Sequence, residues 1–272
     1  AGAGPSQELV DSYEMIDGTQ PILGYSDAEH LRPILNTASS YDPKNPYANR
    51  DPRFYASVYY NGAIRYLDQP NGDVVETYVG GNCGISDKVT DIRYTRTGYY
   101  MRKFNNFKSG IGQDADGLMR IFRLAELYLN FAEAAYQAVG PDGQVVSKVG
   151  AEALSARDAV NKIRVRAGIP ALSSGMSKDS FEKRYRNERR VELAFEEHRF
   201  FDVRRWKILN ETDDFVTGMK IVKEEDGTFT YNRIKLASRG TNADKYLLYP
   251  IKQTEVAKML KHTGANWQNP GW

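Results

Sequence analysis

The segment 118–138 is predicted to form a helix that is apolar on two sides, and no other stretch of the sequence constrains the fold as strongly. One apolar stripe at helical spacing runs from Leu118 to Tyr136, and a second runs from Leu124 to Ala135. A helix of this kind must lie between neighbouring elements, because neither of its sides is suited to water. The sequence therefore predicts a helical core that contains this segment.

The residues that follow predict two further long helices and a shorter one. Small and apolar residues at helical spacing favour a helix over 153–167, which Gly168 and Pro170 end. A third helix is predicted over 177–197, and a shorter one continues through about Ile208. Consecutive helices with these faces indicate stacked helical hairpins, as in repeat proteins.

Outside the helical region, turn-forming residues divide the chain into loops and short elements. Asn, Asp, Pro and Tyr dominate residues 37–51, so no regular element is predicted there. The other predicted elements are a helix capped by Ser6 that reaches Met15, a helical turn at 26–29, an apolar run at 54–60, hairpins at 63–67 with 74–78 and at 219–223 with 228–234, a strand at 246–249 and a helix at 254–261.

Two carboxylates interrupt the aromatic face of the predicted third helix. Glu188 and Glu192 share one stripe with Phe181 and Tyr185, at spacings of three and four. They are either acid/base or metal-binding groups, or parts of an internal ion-pair lattice between helices. We predict the lattice, because a dinuclear metal site requires Glu-x-x-His on one face. The predicted partners of the two carboxylates are Arg199, Arg204 and Arg205.

The composition excludes several classes of partner and site. The 37 basic and 35 acidic residues are interspersed and give a net charge of +2, so no field that would attract nucleic acid or an anionic membrane is predicted. Cys83 is the only cysteine, which excludes an intramolecular disulfide and a multi-cysteine metal site. No apolar run approaches the roughly 18 residues that span a bilayer.

The sequence predicts no catalytic residue, no metal site and no cofactor. The three histidines, His30, His198 and His262, share no metal-ligand spacing. The glycine-rich loop 80–84 around Cys83 lacks the Lys-Ser/Thr of a phosphate-binding loop and is predicted to be a turn. Residues 114–117 resemble part of a calcium loop, but the remaining ligands are missing.

Three tyrosines in polar loops are the candidate ligand-binding residues. Tyr25, Tyr41 and Tyr47 lie among Asp, Asn, Ser and Pro rather than in an amphipathic pattern, so we expect them to be at least partly exposed. An aromatic ring can stack on the apolar face of a sugar while polar neighbours bind its hydroxyl groups. The alternative is that these tyrosines pack the loops onto the helical scaffold.

Five motifs, in order along the chain, resemble one known family. The chain is similar to the SusD/RagB family, the surface nutrient-binding lipoproteins of Bacteroidetes. The motifs are Gln7-Glu-Leu-Val-Asp-Ser-Tyr-Glu-Met15, Asn49-Arg-Asp-Pro-Arg-Phe54, Arg123-Leu-Ala-Glu-Leu-Tyr-Leu-Asn-Phe-Ala-Glu-Ala134, Glu188-Arg-Arg-Val-Glu-Leu-Ala-Phe-Glu-Glu-His-Arg-Phe-Phe-Asp-Val-Arg-Arg-Trp206 and Gln268-Asn-Pro-Gly-Trp272.

This resemblance implies a mainly α fold with tetratricopeptide-like helical hairpins, long irregular loops and one or two small β-hairpins. We expect a single domain over 1–272, with a loop-rich ligand side at 1–113, a helical scaffold at 114–209 and a hairpin and tail at 210–272. The resemblance covers only the C-terminal half of the family, so the chain is expected to be a fragment of a protein whose N-terminal lipid anchor lies outside it.

The resemblance also implies a function. Family members bind oligosaccharide at the outer membrane, on the cell surface, and deliver it without catalysis to a SusC-like TonB-dependent transporter. The early loops of the C-terminal half belong to the ligand side, which favours Tyr25, Tyr41 and Tyr47. The alternative function is a helical-repeat module that binds peptide or protein. A hydrolase using Glu188 and Glu192 is disfavoured, because residues four apart on one helix project side by side rather than across a cleft.

Overall fold

Three helices enclose one hydrophobic core in the computed structural model of the chain. They are α3 (Leu124–Val139), α4 (Ala156–Ala167) and α5 (Lys178–Glu192), and they confirm the predicted helical hairpins. Residues on all three helices meet in this core, with Tyr136 and Tyr185 fully buried. The structure describes residues 4–65, 73–85, 94–105, 120–146, 152–212, 214–240 and 244–272.

Helix α3 begins later than predicted, and its apolar residues are buried in its later turns but exposed at and just before its start. Residues 118 and 119 lie outside the described ranges, and Arg123 has the extended backbone of an N-cap. Leu129 on the first stripe is 0% exposed, whereas Leu124 and Leu127 on the second stripe are 62% and 49% exposed. Ala135 on the second stripe is nevertheless 4% exposed, and Ile121 on the first stripe is 89% exposed, so burial increases along the helix on both stripes.

Helix α5 ends at Glu192, five residues earlier than predicted, because a lysine side chain binds the carbonyl groups at its end. The Nζ atom of Lys103 donates to the backbone carbonyls of Glu192 and Ala194, at 3.0 Å each. A cation thus satisfies carbonyl groups that a continuing helix would have used. Phe195 and Glu197 then adopt positive φ values in a turn, before α6 (His198–Arg205) and α7 (Leu209–Thr212).

A second core joins the early part of the chain to a long β-hairpin. The strands β7 (Phe215–Lys223) and β8 (Phe229–Ser238) pair antiparallel, which confirms the predicted hairpin and extends it at the end away from the turn. Helices α1 (Gln7–Ser12) and α2 (Pro52–Ser57) pack against this region. The buried members of this second core are Val10, Tyr13, Tyr47, Phe54, Val58, Tyr99, Val191, Met219 and Ile221.

The predicted cap of the first helix is confirmed, but the helix is shorter than predicted. The Ser6 side chain accepts a hydrogen bond from the Leu9 amide, as an N-cap does. The helix ends at Ser12 rather than Met15, because Met15 forms a β-bridge with Arg50. At the predicted helical turn 26–29 the structure shows an isolated turn, in which the His30 amide donates to the Asp27 carbonyl, and the Asp27 side chain accepts hydrogen bonds from the backbone amides of residues 31 and 32.

Three other strand pairs are short and antiparallel. They are β1 (Ile22–Tyr25) with β2 (Pro33–Leu35), β3 (Val58–Tyr59) with β4 (Tyr100–Met101), and β5 (Gln144–Val145) with β6 (Leu154–Ser155). Of the predicted hairpin 63–67 with 74–78, the structure shows the single bridge between Ile64 and Val74, and residues 66 and 67 lie outside the described ranges.

The C-terminal tail contains one confirmed element and one correction. Helix α8 (Gln253–Thr263) confirms the predicted helix. The predicted strand at 246–249 is wrong, because a 3-10 helix spans Asp244–Leu247. The indole Nε1 of Trp272 donates to the carbonyls of Lys245 and Leu248, and so binds the oxygen atoms of that turn.

Helices with small antiparallel hairpins confirm the predicted mainly α fold class. The division into a ligand side, a scaffold and a tail stays a prediction. In the part of the chain that the structure describes, no helix is both long and apolar enough to cross a membrane.

Candidate functional site

Glu188 lies at the centre of a buried ion-pair lattice that extends beyond its own helix. Its Oε1 atom is 2.5 Å from Nη1 of Arg53, and its Oε2 atom is 2.9 Å from Nη1 of Arg164. Arg164 also binds Glu14 at 2.9 Å. The side chains of Glu188 and Arg164 are both 1% exposed, so each charge depends on the other for compensation.

Glu192 receives guanidinium groups from three different parts of the chain. Arg53 lies at 3.0 Å, and Arg123 and Arg166 lie at 2.5 Å each. Burial alone would raise the pKa of the Glu192 carboxyl, but the hydrogen bond from Arg123 and the charge of Arg53 outweigh burial and lower the pKa to about 2. A general acid or base needs a pKa near the working pH. Glu192 is thus fixed as an ionised structural group at neutral pH.

The ion pairs confirm the predicted lattice, but two of its predicted partners, Arg204 and Arg205, are wrong. Arg205 binds Glu133 and Asp202 instead, and Arg204 donates to the backbone carbonyls of Tyr246 and Phe200. The partners that do bind Glu188 and Glu192 come from α2, from the start of α3 and from α4. They are Arg53, Arg123, Arg164 and Arg166.

Tyr25 lies on β1 and is half-buried. Its hydroxyl donates to Oδ2 of Asp11 at 2.7 Å, and its ring stacks on His30 with centroids 4.2 Å apart. Asp11 in turn forms an ion pair with Arg233 at 2.7 Å. Burial, followed by the negative charge of Asp11, raises the pKa of the Tyr25 hydroxyl. The hydroxyl of Tyr25 therefore links β1 to α1 through Asp11.

Tyr41 is also half-buried, and its ring lies 5.6 Å from the guanidinium carbon of Arg50. Its hydroxyl forms no hydrogen bond with the described part of the chain. Burial, followed by the charge of Asp11, raises the pKa of Tyr41. Tyr25 thus contacts the Asp11–Arg233 ion pair directly, whereas the ring of Tyr41 contacts Arg50.

Tyr47 differs from the other two, and its predicted exposure is wrong. It is 5% exposed and packs in the second core. Its hydroxyl donates to the Tyr99 hydroxyl at 3.3 Å, and burial raises its pKa well above the usual value. Its ring contacts the rings of Phe54 and Tyr60, with centroids 6.0 and 4.8 Å apart. Tyr47 therefore anchors the loop that contains it to the second core.

A cavity of about 390 Å³ lies beside the β3–β4 strand pair, and its aromatic residues were not predicted as site residues. The sequence signal was weak, because Tyr59 lies in an apolar run and Tyr94 and Tyr100 flank a Thr- and Gly-containing stretch without an amphipathic period. The described residues that line the cavity are Tyr59, Arg65, Val75, Asn82, Cys83, Tyr94, Tyr100, Met101 and Asn105.

The hydroxyl of Tyr100 connects segments of the chain that border this cavity. The Tyr100 hydroxyl accepts a hydrogen bond from the Thr95 amide at 2.9 Å and donates to the Cys83 carbonyl at 3.1 Å. The Asn82 side chain accepts from the Glu76 amide at 3.0 Å, which confirms that loop 80–84 is a turn. Three separate segments are thus joined around the cavity in the absence of any ligand.

His30, His198 and Trp206 take structural positions. His30 lies 3.5 Å from Glu8, and His198 lies 3.6 Å from Glu126. The Trp206 indole donates to Glu133 at 2.7 Å, in agreement with the predicted packing role. Within the described ranges no group of three or more His, Cys, Asp or Glu residues is arranged to hold a metal ion. The calcium-loop-like residues 114–117 lie outside those ranges.

The comparison with protein families decides what the chain is related to. Residues 1–272 match the family model described as the SusD family. The chain belongs to the SusD family. This membership confirms the resemblance carried by the five sequence motifs. A search of curated proteins finds no match for this SusD-family chain.

Three solved structures similar to this SusD-family chain come from Bacteroides species. A SusD-like protein from Bacteroides fragilis is 31% identical with a TM-score of 0.74, and the alignment covers 100% of this chain and 47% of that one. A SusD-like carbohydrate-binding protein from the same species is 25% identical with a TM-score of 0.57, covering 92% and 46%. A SusD superfamily protein from Bacteroides vulgatus, 18% identical with a TM-score of 0.50 and covering 99% and 44%, shows the shared fold. The SusD-family chain thus spans about half the length of these relatives.

Proposed function

We propose that this chain is part of a non-catalytic oligosaccharide-binding protein. The observation that carries the proposal is the SusD-family match over residues 1–272, together with a similar solved structure that is described as a carbohydrate-binding protein. The charges of the Glu188–Glu192 lattice support a binding role rather than a hydrolytic one, because Glu192 is held ionised by three arginines.

Tyr41 is the first ligand contact in this proposal. It combines a half-buried ring with a hydroxyl that has no partner in the described chain, and the exposed Asp42 follows it. Such a ring stacks on the C–H face of a sugar, while polar neighbours bind the hydroxyl groups. Tyr25, at the Asp11–Arg233 ion pair, is the second ligand contact in this proposal, and Tyr47 holds the loop from the second core.

Isothermal calorimetry with a panel of oligosaccharides tests this function. Wild-type protein is expected to bind at least one glycan of the panel, and Tyr41→Ala is expected to weaken that binding about five- to tenfold, the range for loss of one aromatic stacking contact. Tyr249→Ala is the matched control, because Tyr249 is 63% exposed and lies far along the chain from the proposed contact.

Two results would contradict the proposal in different ways. Binding that is equal in wild type and Tyr41→Ala removes Tyr41 from the site but leaves glycan binding intact. An absence of binding to every glycan, by a protein with a cooperative unfolding transition, contradicts the function itself. Tyr47→Phe, which keeps the buried ring, then tests whether the hydroxyl bond to Tyr99 is needed to hold the loop.

Delivery to a SusC-like TonB-dependent transporter at the outer membrane is the wider setting of this proposal. The full-length protein is expected to be lipid-anchored on the cell surface and to co-purify with the transporter encoded beside it. Loss of co-purification in every detergent tested, with glycan binding intact, would separate capture from delivery.

A peptide or protein ligand is the second candidate, and one observation favours it. Ile121, Phe122, Leu124 and Leu127 leave an apolar stripe 49% to 89% exposed at the start of α3. Stripes of this kind suit contacts between proteins. Peptides in the calorimetric panel decide between the candidates, because a sugar site centred on Tyr41 should give no heat with them.

A further inference from the structure

We propose that the cavity beside β3 and β4 is a subsite for one pyranose ring of a neutral oligosaccharide. This inference rests on the proposed function, and it adds a site that the sequence does not point to. The cavity volume of about 390 Å³ is at the lower end of the roughly 300–1,000 Å³ range that small ligands occupy. It suits about one or two sugar units rather than a long chain.

Tyr59 provides the strongest evidence for a built site. It is 5% exposed, lines the cavity and pairs with Tyr100 in the β3–β4 ladder. Its hydroxyl has no hydrogen-bond partner among the described residues, yet it is not one of the unpartnered atoms that are sealed from solvent. A buried side chain therefore offers an unused donor and acceptor to the cavity. Sugar hydroxyl groups satisfy both.

The orientation of Tyr59 is fixed before any ligand arrives. The guanidinium carbon of Arg102 lies 5.3 Å from the centre of its ring, and the same guanidinium donates to the Tyr55 carbonyl at 2.9 Å. The Tyr100 hydroxyl is already used by Thr95 and Cys83, so Tyr100 contributes its ring rather than a polar group. A fixed side chain loses little conformational entropy when a ligand binds.

The other lining residues favour a neutral sugar over other ligands. Arg65 is the one charged side chain among the described lining residues, and it is paired with Asp73, which disfavours an anionic ligand. Asn82 and Asn105 add amide groups, which disfavours a purely apolar ligand. Aromatic rings beside amide and hydroxyl groups match the apolar face and polar rim of a pyranose.

Cys83 allows occupancy of this cavity to be measured directly. It is the only cysteine of the chain, it is half-buried, and it lines the cavity. Burial raises the pKa of its thiol, so alkylation by iodoacetamide is best followed at about pH 8.5, where enough thiolate is present. A sugar in the cavity should shield the thiol, whereas a sugar at Tyr41 alone should not.

The experiment measures the alkylation rate by mass spectrometry without glycan and with saturating malto-, xylo-, manno- or galacturono-hexaose. The neutral hexaose that binds by calorimetry is expected to slow alkylation at least about fivefold, because access controls the reaction once pH is fixed. Tyr59→Phe, which keeps the ring, is expected to need about five times more glycan for the same protection, the effect of one hydrogen bond. Tyr249→Phe is the matched control, since Tyr249 does not line this cavity.

The outcomes separate the two proposals. Glycan binding by calorimetry with an unchanged alkylation rate overturns the subsite and leaves the proposed function standing. Protection of Cys83 that is equal in wild type and Tyr59→Phe, or that only galacturonohexaose produces, overturns the assignment to a neutral ring bound by Tyr59. No binding of any glycan overturns both proposals.

Discussion

Replacing Glu192 with glutamine tests whether the ion-pair lattice stabilises the fold. The substitution keeps the size of the side chain but removes the charge on which Arg53, Arg123 and Arg166 converge. The lowered pKa, from a usual value of 4.5 to about 2, corresponds to about 3 kcal/mol of stabilisation at neutral pH. Breaking a buried ion pair costs a similar amount, about 3–5 kcal/mol. We expect a loss of about 3 kcal/mol at pH 7.

The pH dependence of this loss has a definite sign. Because the pKa of Glu192 is lower in the folded protein than in the unfolded chain, its ionised form stabilises the fold fully above about pH 4.5. This stabilisation decreases as the pH falls from there toward 2. The glutamine variant lacks it at every pH. The difference in unfolding free energy between wild type and Glu192→Gln is therefore expected to shrink in acid.

Urea unfolding followed by circular dichroism, in a pH series from neutral to acid, measures this difference. Glu255→Gln is the control, because Glu255 pairs with Lys258 at 2.8 Å while both side chains are more than half exposed. Exposed pairs contribute at most about 1 kcal/mol. The reasoning is refuted if Glu192→Gln costs no more than Glu255→Gln, or if its cost stays constant as the pH falls.

Two further predictions concern the cores and the backbone. Leu129→Ala is expected to lower the unfolding free energy by about 2–5 kcal/mol in a urea titration, because Leu129 is fully buried. Leu124→Ala, at a position 62% exposed, is expected to lower it by less than about 1 kcal/mol. Equal losses in the two variants would contradict the assigned packing of α3. Gly98→Ala would bring a Cβ atom into collision with the Met219 carbonyl oxygen, whereas the Cβ atom of Gly62→Ala meets open space. Both glycines have positive φ, so both variants share a backbone strain of about 1–2 kcal/mol. Thermal unfolding is therefore expected to show a clearly lower Tm for Gly98→Ala than for Gly62→Ala.

Local periodicity predicts the scaffold well, because each helix buries one face against its sequence neighbours. Leu129 and Tyr136 of the predicted first stripe are buried, and Gly168 ends α4 in the left-handed conformation. The hairpin around Asp226 and Gly227 also follows from turn chemistry alone. These features depend on residues that lie close together in the sequence.

The partners of the buried charges could not be predicted in the same way. The sequence suggests nearby arginines for Glu188, but Arg53 is 135 residues away. Which guanidinium reaches a carboxylate depends on how α2 and α4 pack against α5, and no local pattern carries that information. The early end of α5 has the same origin, because Lys103, which follows β4 and is distant in the sequence, binds the carbonyls of Glu192 and Ala194.

Exposure of the tyrosines was predicted correctly only in part, for a related reason. Polar neighbours in the sequence indicate a loop, but they do not indicate which way a side chain in that loop points. Tyr41 is half-buried, whereas Tyr47 turns into the core and bonds to Tyr99. Tyr59 shows the opposite case, because it lies in an apolar run of the sequence and nevertheless lines a cavity.

The lattice and the proposed subsite are separate in chemistry but connected in structure. Arg53, the α2 residue that binds Glu188 and Glu192, lies six residues before Tyr59, and α2 leads directly into β3. Lys103 follows β4 and binds the end of α5 through two carbonyls. Both strands beside the cavity are thus fastened to the same helix end. If the proposed subsite binds glycan, the charged motif of α5 contributes to binding without touching the ligand, because it holds the two strands on which Tyr59 and Tyr100 are placed.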